Sequence, residues 1–194
     1  MLARRLVVKS LLRDRPSNLV VISSLGSPTW DLAASGNHPC NFGFVGAMGQ
    51  AGPFALGFAL AQPEKRVVLL AGDGELLMSL GVLATIANQK PENLAVVVLD
   101  NESYGETGGQ VTATAGATDL ELVARGCGLR VTRTVTTESE IAELRELAFG
   151  VGGPVFAVVK VEFEELSPVF PYSLDGVTAI DRFRSSLHDA GLSA

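Results

Sequence analysis

Two short stretches of the sequence carry side chains that can hold a metal ion beside an anion. Gly72-Asp73-Gly74 follows the apolar run RVVLLA, and Asn101 comes just after a second apolar run, LAVVVL. The carboxylate and the amide oxygen are hard ligands of the kind that magnesium prefers, while the glycines allow close backbone approach. Magnesium shares its octahedral shell with water and phosphate oxygens, so this pair suffices only beside a phosphorylated ligand. GDG alone is typical of a plain turn, but an asparagine at the end of the next strand favours the ligand site.

These side chains need a scaffold that brings the ends of neighbouring strands together. The predicted strands span residues 18–23, 66–71, 94–99, 129–135 and 154–161, and the predicted helices span 2–13, 46–57, 76–89, 120–127 and 138–149. Strands that alternate with helices and are apolar throughout are typical of a parallel sheet covered on both faces. We therefore predict an α/β fold, a parallel sheet with helices on both faces, as a single domain over residues 1–194. Ligands of such sheets bind at the carboxyl ends of the strands, where GDG and Asn101 are expected to meet.

Composition limits the partners of such a domain. The chain has 194 residues, 47% of them hydrophobic and 19% charged, with a net charge of −6. We therefore predict a compact protein that binds neither nucleic acid nor an anionic membrane. The apolar runs are too short to span a bilayer, and the basic start favours an amphipathic helix over a targeting peptide, so we expect a cytoplasmic protein. Cys40 and Cys127 are too few for an iron–sulfur or zinc site, and free thiols are favoured over a disulfide.

The pair of stretches resembles the cofactor-binding signature of thiamine diphosphate enzymes, which runs from GDG to a terminal pair of asparagines. The resemblance implies that Asp73, Asn101 and the backbone carbonyl of Ser103 bind Mg²⁺ and that thiamine diphosphate is the cofactor. The sequence departs from the signature at Asp100, where the family has the first asparagine. That position is not the metal ligand, so the implied metal site is unaffected. The other residues that the resemblance places at the diphosphate end of the cofactor are Gly72, Gly74, Glu75, Tyr104 and Gly105.

A glycine-rich segment upstream, NFGFVGAMG at 41–49, resembles the part of these enzymes that holds the aminopyrimidine ring. The resemblance implies that the carbonyl of Gly46 accepts a hydrogen bond from the ring, that Ala47 lies beside it, and that Met48 wedges the cofactor into a bent shape. The bend has a physical reason, because the amino group must lie close to the thiazolium carbon whose proton it takes. Taken alone, Met48 is also compatible with ordinary core packing.

The loop NESYGETGGQ at 101–110 and the segment SSLGSPTW at 23–30 resemble sulfopyruvate and phosphonopyruvate decarboxylases. The resemblance implies a small 2-oxo acid with a second anionic group as substrate. Glu102 and Glu106 would repel such a group, so their side chains must point away from it or the substrate differs. A flexible connection without substrate contact is the alternative interpretation. The residues predicted to form the substrate loop are Glu106, Thr107, Gly108, Gly109 and Gln110.

The chain is expected to hold only half of an active site. In the enzymes it resembles, a glutamate on a separate pyrimidine-binding domain activates the cofactor, and 194 residues leave no room for a second sheet of that size. We therefore predict a separate pyrimidine-binding subunit, an α2β2 heterotetramer, and a C-terminal tail from about Phe163 that packs on the partner. No catalytic residue is certain in this chain; His38 is a candidate acid–base group, with an ordinary surface histidine as the other interpretation.

Three other functions stay open. A carboligase that resembles acetolactate synthase shares the first half of the chemistry, and the same residues would serve it. A subunit of an oxo-acid oxidoreductase that reduces ferredoxin is disfavoured because the cysteines for a cluster are lacking. A non-catalytic module that only binds the cofactor is also compatible with Asp73 and Asn101, since these residues predict binding rather than turnover.

Overall fold

A six-stranded, wholly parallel sheet organises the protein, whose computed structural model describes residues 1–150 and 152–189. The strand order is β2-β1-β3-β4-β8-β7, and a small antiparallel hairpin, β5 with β6, lies outside the sheet. The strands are β1 (Leu19–Ser23), β2 (Asn41–Gly43), β3 (Arg66–Gly72), β4 (Leu94–Asp100), β5 (Ser103–Tyr104), β6 (Gln110–Val111), β7 (Val131–Val135) and β8 (Val155–Lys160). The helices are α1 (Arg4–Leu11), α2 (Ser27–Ala34), α3 (Ala51–Ala61), α4 (Asp73–Met78), α5 (Val82–Gln89), α6 (Leu120–Gly126), α7 (Ile141–Gly150) and α8 (Gly176–Asp189).

Helices cover both faces of the sheet, which confirms the predicted α/β fold. Alternate residues of β3, such as Val67 and Leu69, pack in one apolar layer with helices α3, α5, α6 and α8. The intervening residues Val68 and Leu70 pack in a second layer with α1, α2 and α7. Because both faces are covered, a strand such as β4 is buried along its whole length. Full burial of each large aliphatic side chain contributes about 1.5–3 kcal/mol to the stability of the fold.

The local structure differs from the sequence prediction in three places. The helix predicted over 76–89 is two helices, with a break around Ser79 and with Gly81 as the N-cap of α5. The helix predicted from residue 46 begins at Ala51, because Ala47 and Gly49 adopt left-handed backbone conformations with φ of 61° and 82°. Helix α2 and strand β2 were not predicted, since α2 has only a weak amphipathic pattern and β2 is three residues long.

The chain direction creates a crevice at one edge of the sheet. Strand β1 lies between β2 and β3, and the connection from β1 to β2 carries α2 on one face while the connection from β2 to β3 carries α3 on the other. The carboxyl ends of β1 and β3 therefore form a switch point, where parallel sheets commonly bind ligands. A hydrogen bond from the Gly72 amide to the Ser24 hydroxyl, 3.1 Å long, joins these two ends.

The C-terminal segment packs partly on its own chain. Phe183 of α8 is buried against the rings of Phe42 and Phe58, whereas Phe170 and Tyr172 are exposed. Residues 190–194 of the predicted tail lie outside the part of the chain that the structure describes. Among the described residues, no helix combines the length and apolar character needed to cross a membrane. Both cysteines are free thiols.

Candidate functional site

A cavity of about 120 Å³ opens at the carboxyl ends of β1, β3 and β4, as the switch point predicts. The structure brings most of the sequence-predicted site residues to its wall: Met48, Gly72, Asp73, Gly74, Glu75, Asn101, Ser103, Tyr104, Gly105, Glu106 and Thr107. The predicted residues that do not line it are His38, Gly46, Ala47, Gly108, Gly109 and Gln110. The segment at 23–30, whose resemblance predicted a wall of the site, contributes Ser24, Leu25, Ser27 and Pro28 to the lining. Arg4 and Leu99 also line the cavity and were not predicted as site residues.

Asp73 begins α4 and is almost fully buried at the base of the cavity. The hydroxyls of Thr112 and Thr114 donate hydrogen bonds to its Oδ2 at 2.5 and 3.1 Å, which fix the carboxylate through one of its oxygens. Burial raises the pKa of Asp73, and the charge of Asp100 raises it further against the lowering effect of the two hydroxyls. Ionisation of Asp73 is therefore less favourable in the protein than in water, and a cation beside the carboxylate would offset that cost.

Asp100 departs from the asparagine of the family signature, and the structure gives a physical reason. Lys160, the last residue of the neighbouring strand β8, donates to Asp100 Oδ2 and to Glu102 Oε1, both at 2.8 Å. Burial alone would lower the pKa of Lys160, but hydrogen bonds and charges from the two carboxylates raise it above its usual value. Lys160 thus offsets part of the negative charge of Asp100 from the side of β8, and Thr114 donates a further bond of 2.7 Å to its Oδ1.

Asn101 lies in a tight turn directly after β4. Its Oδ1 accepts a hydrogen bond of 3.1 Å from the amide of Ser103, and Glu102 between them has a left-handed φ of 60°. A left-handed conformation is unfavourable for a residue other than glycine, and such strain concentrates at functional sites. The turn brings Asn101 and Ser103 to the same wall of the cavity.

Gly74 has no room for a side chain. A Cβ atom at this position would lie 2.5 Å from Cε1 of Tyr104, whose ring covers the first turn of α4. No side chain caps that turn, so its backbone amides remain available to an acceptor. The missing side chain of Gly74 therefore gives room to the ring of Tyr104, while close approach of a ligand to this turn stays a prediction.

Glu75 lines the cavity, but its carboxylate serves the neighbouring glycine-rich loop. Oε2 accepts a hydrogen bond of 2.6 Å from the amide of Gly49, and Oε1 accepts one of 3.1 Å from the amide of Ala51 at the start of α3. These charge-assisted bonds tie the segment that carries Met48 to α4. The side chain of Glu75 therefore holds the loop on which Met48 lies, and contact of Glu75 with the cofactor stays a prediction.

We expect Glu75→Ala to lower the free energy of unfolding by about 2–4 kcal/mol, because two amides lose a buried, charged acceptor. Thermal and urea unfolding of the isolated chain measure this loss. The matched control is Glu64→Ala, since Glu64 is exposed beyond the end of α3 and its removal is expected to change stability by no more than about 0.5 kcal/mol. Equal unfolding curves for the two variants would contradict this role of Glu75.

The predicted substrate loop forms a hairpin turn between β5 and β6. Thr107 Oγ1 donates to Gln110 Oε1 and Gln110 Nε2 donates to the Thr107 carbonyl, both at 2.8 Å. Gly108 and Gly109 make the turn with φ of 114° and 74°. The side chain of Gln110 is therefore bound within the loop, whereas Thr107 also reaches the cavity wall.

The two acidic residues of this loop have different surroundings. Glu102 pairs with Lys160, so its charge does not face the cavity. Glu106 lines the cavity and packs against Gly26, and its Oε1 accepts a hydrogen bond of 3.3 Å from the indole of Trp30. The expected conflict with an anionic substrate is therefore relieved for Glu102 but stays for Glu106.

His38 is not brought to this site. It precedes β2, so it lies toward the amino-terminal edge of the parallel sheet, and its Nδ1 accepts a hydrogen bond of 3.1 Å from the amide of Cys40. Burial, followed by the charges of Arg15 and Arg182, lowers the pKa of His38 below its usual value. The structure thus supports the alternative interpretation, an ordinary hydrogen-bonded histidine.

Comparison with known proteins identifies the family. Residues 27–159 match the model described as thiamine pyrophosphate enzyme, C-terminal TPP binding domain. This chain belongs to that family of thiamine pyrophosphate enzymes.

Individual relatives place the chain more closely within the family. It is 41% identical to sulfopyruvate decarboxylase subunit beta of Methanothermobacter thermautotrophicus over 172 residues, which cover 88% of both proteins. It is 35% identical to phosphonopyruvate decarboxylase of Streptomyces viridochromogenes over 170 residues, which are 88% of this chain but only 40% of that enzyme. Its fold is that of benzoylformate decarboxylase from Polynucleobacter necessarius, with a TM-score of 0.70 and 22% identity over 85% of this chain and 34% of the other.

Proposed function

We propose that this chain is the thiamine diphosphate- and Mg²⁺-binding subunit of a split 2-oxo acid decarboxylase, active only together with a pyrimidine-binding subunit. The observation that carries the proposal is the convergence of Asp73, Asn101 and Ser103 on one cavity at the switch point of the sheet. The relatives named as subunit beta match this chain along most of their length, which supports a subunit of the same extent.

The cavity residues fit a diphosphate with a divalent cation. Asp73 and Asn101 with the backbone carbonyl of Ser103 would bind Mg²⁺, while the uncapped first turn of α4 would donate amides to the diphosphate. The pKa of Asp73, raised by burial and by Asp100, supports a site built for a cation, which would stabilise the charged carboxylate. Met48, on the loop that Glu75 fixes, would support the rest of the cofactor.

When bound, thiamine diphosphate supplies the electron sink that lets a 2-oxo acid lose carbon dioxide. The residues of this chain would orient the cofactor, neutralise its phosphates through the metal and cover the site with the loop at 105–110. The glutamate that activates the aminopyrimidine ring would come from the partner. Glu75 cannot take that role, because both of its carboxylate oxygens are bound to backbone amides.

An unusually apolar outer surface beside the cavity favours the proposal that a partner subunit binds there. Helix α3, AGPFALGFALA, has no charged or polar side chain, and Leu60 on it is 48% exposed while Met78 at the end of α4 is 57% exposed. A surface helix that is apolar on all sides is typical of one that another protein covers. The cavity of about 120 Å³ is also below the roughly 300 Å³ of ordinary ligand pockets, as expected where a second subunit completes the site.

The substrate that we propose is a small 2-oxo acid of the sulfopyruvate or phosphonopyruvate type. Support comes from the loop resemblance and from the names of the relatives. An α2β2 heterotetramer is the simplest assembly with two such interfaces, and the location that we propose is the cytoplasm.

The test is reconstitution with a candidate pyrimidine-binding subunit from the same organism. We expect carbon dioxide from sulfopyruvate or phosphonopyruvate only when both subunits, thiamine diphosphate and Mg²⁺ are present. Product analysis with one and with two oxo acids distinguishes an aldehyde, as proposed, from the carboligation product of an acetolactate synthase-like enzyme. Cofactor binding without turnover of any oxo acid by the complex would instead favour a non-catalytic module.

A further inference from the structure

Arg4 is a buried cation from the amino-terminal part of the chain that lines the cavity. It is the first residue of α1, only 3% exposed, and it lines the cavity. Its Nε donates to Asp31 Oδ2 at 2.5 Å, but its Nη1 is buried without a hydrogen-bond partner among the described residues. A buried donor of a charged group that lacks an acceptor is costly, so such groups point to a binding role.

Asp31 does not neutralise the positive charge of Arg4 completely, because it also pairs with Arg5. Asp31, which is fully buried, is shared by two arginines, because Arg5 Nε donates to its Oδ1 at 2.9 Å. This group of three therefore carries one net positive charge. Arg5 lies outside the cavity and donates through Nη2 to the carbonyl of Ser167, so of these two arginines only Arg4 lines the site.

The surroundings of Arg4 also favour negative charge. The same cavity contains Ser27 and Pro28 from the first turn of α2, a helix without a side-chain cap. The carboxylate of Glu106 packs over Gly26, directly before that turn. An acidic side chain at the uncapped start of a helix occupies a position that suits an anion.

We propose that Arg4 is an anion-recognising residue of this site and binds a tetrahedral oxyanion after Glu106 has moved aside. Two sources supply this chemistry under the proposed function, on which this part of the inference rests. One is the terminal phosphate of the cofactor, and the other is the sulfonate or phosphonate group of the substrate. A guanidinium can donate parallel hydrogen bonds to such a group, whereas a lysine cannot reproduce that geometry.

The experiment compares Arg4→Lys with Arg5→Lys in the full chain, because both variants keep a cation next to Asp31 and only the first alters the cavity. Inorganic diphosphate with Mg²⁺ and, separately, sulfoacetate are titrated by calorimetry and by the fluorescence of Trp30, the single tryptophan, which contacts Glu106. We expect Arg4→Lys to weaken binding of one probe about tenfold or more and Arg5→Lys to leave it within about twofold. The probe that is weakened identifies the source of the anion.

The proposal would be overturned if neither probe bound saturably to the wild-type chain, or if Arg4→Lys kept the wild-type affinities. Equal losses of affinity in Arg4→Lys and Arg5→Lys would also overturn it, because they would mean that Arg4 acts only through Asp31. If Arg4→Lys does not fold, Glu106→Gln decides, since removal of the competing carboxylate is expected to strengthen binding several-fold and an unchanged affinity refutes the idea. Arg4-dependent anion binding by a chain that fails to bind thiamine diphosphate would refute the proposed function but leave this inference standing.

Discussion

Asp73→Ala is expected to lower the affinity of the chain for thiamine diphosphate in the presence of Mg²⁺ by about 100-fold or more. The substitution removes the single carboxylate among the proposed metal ligands, and a loss of about 2.7 kcal/mol corresponds to that factor. The fold is expected to survive, because burial and Asp100 raise the pKa of Asp73, so the ionised carboxylate does not stabilise the protein alone. Calorimetric titration of the cofactor measures the affinity, and thermal unfolding without Mg²⁺ checks the fold.

Metal removal provides the matched control for this prediction. Wild-type chain in EDTA is expected to lose as much affinity as Asp73→Ala, and EDTA is expected to cause little further loss in the variant, because both changes remove the same interaction. Asp73→Asn, which keeps an acceptor for Thr112 and Thr114, separates the charge from these hydrogen bonds. Unchanged cofactor affinity in Asp73→Ala would contradict the central assignment.

The meeting of Asp73 and Asn101 at one cavity was predictable because the sequence patterns that indicate it are local. Asp73 and Asn101 each follow an uninterrupted apolar run, such runs are typical of buried parallel strands, and parallel strands bring their carboxyl ends to one edge. The order of elements therefore predicts the sheet, its covered faces and the edge where the site lies. The motif around Met48 was enough to place this residue at the cavity, although it did not indicate where α3 begins and its wedge role stays a prediction.

The hydrogen bonds and ion pairs that hold the site residues in place were not predictable, since the residues that form them are distant in sequence. Thr112 and Thr114 lie 39 and 41 positions from Asp73 and reach it only because the hairpin after Asn101 folds back over α4. Arg4 lies on an amphipathic helix whose pattern is typical of a solvated arginine, and its partner Asp31 is 27 positions away. Asp31 lies on helix α2, which was not predicted, so its neighbours could not be inferred. No sequence pattern therefore indicated that Arg4 and Asp31 form a buried ion pair. Polar contacts of this kind depend on tertiary packing, which local patterns do not encode.

Gly57→Glu is expected to block assembly with the pyrimidine-binding subunit while leaving the isolated chain folded. Gly57 is exposed in the middle of α3, and a Cβ atom built on it meets nothing within 4 Å. A glycine inside a helix costs up to about 1 kcal/mol relative to a good helix former, so the variant chain is expected to be as stable as the wild type or slightly more stable. In the complex, the new carboxylate would face an apolar interface and would be buried without a partner.

Because α3 begins directly after the loop that carries Met48, a subunit docked on this helix would also reach the cavity. We therefore expect the variant to lose about 100-fold or more in affinity for the partner, measured by analytical ultracentrifugation, and to lose carbon dioxide release in parallel. Gly126→Glu is the matched control, since Gly126 is likewise an exposed helical glycine with open space around it, on α6. Normal assembly of the Gly57 variant would exclude α3 from the interface, and equal loss in both variants would show that added charge, rather than its position, prevents association.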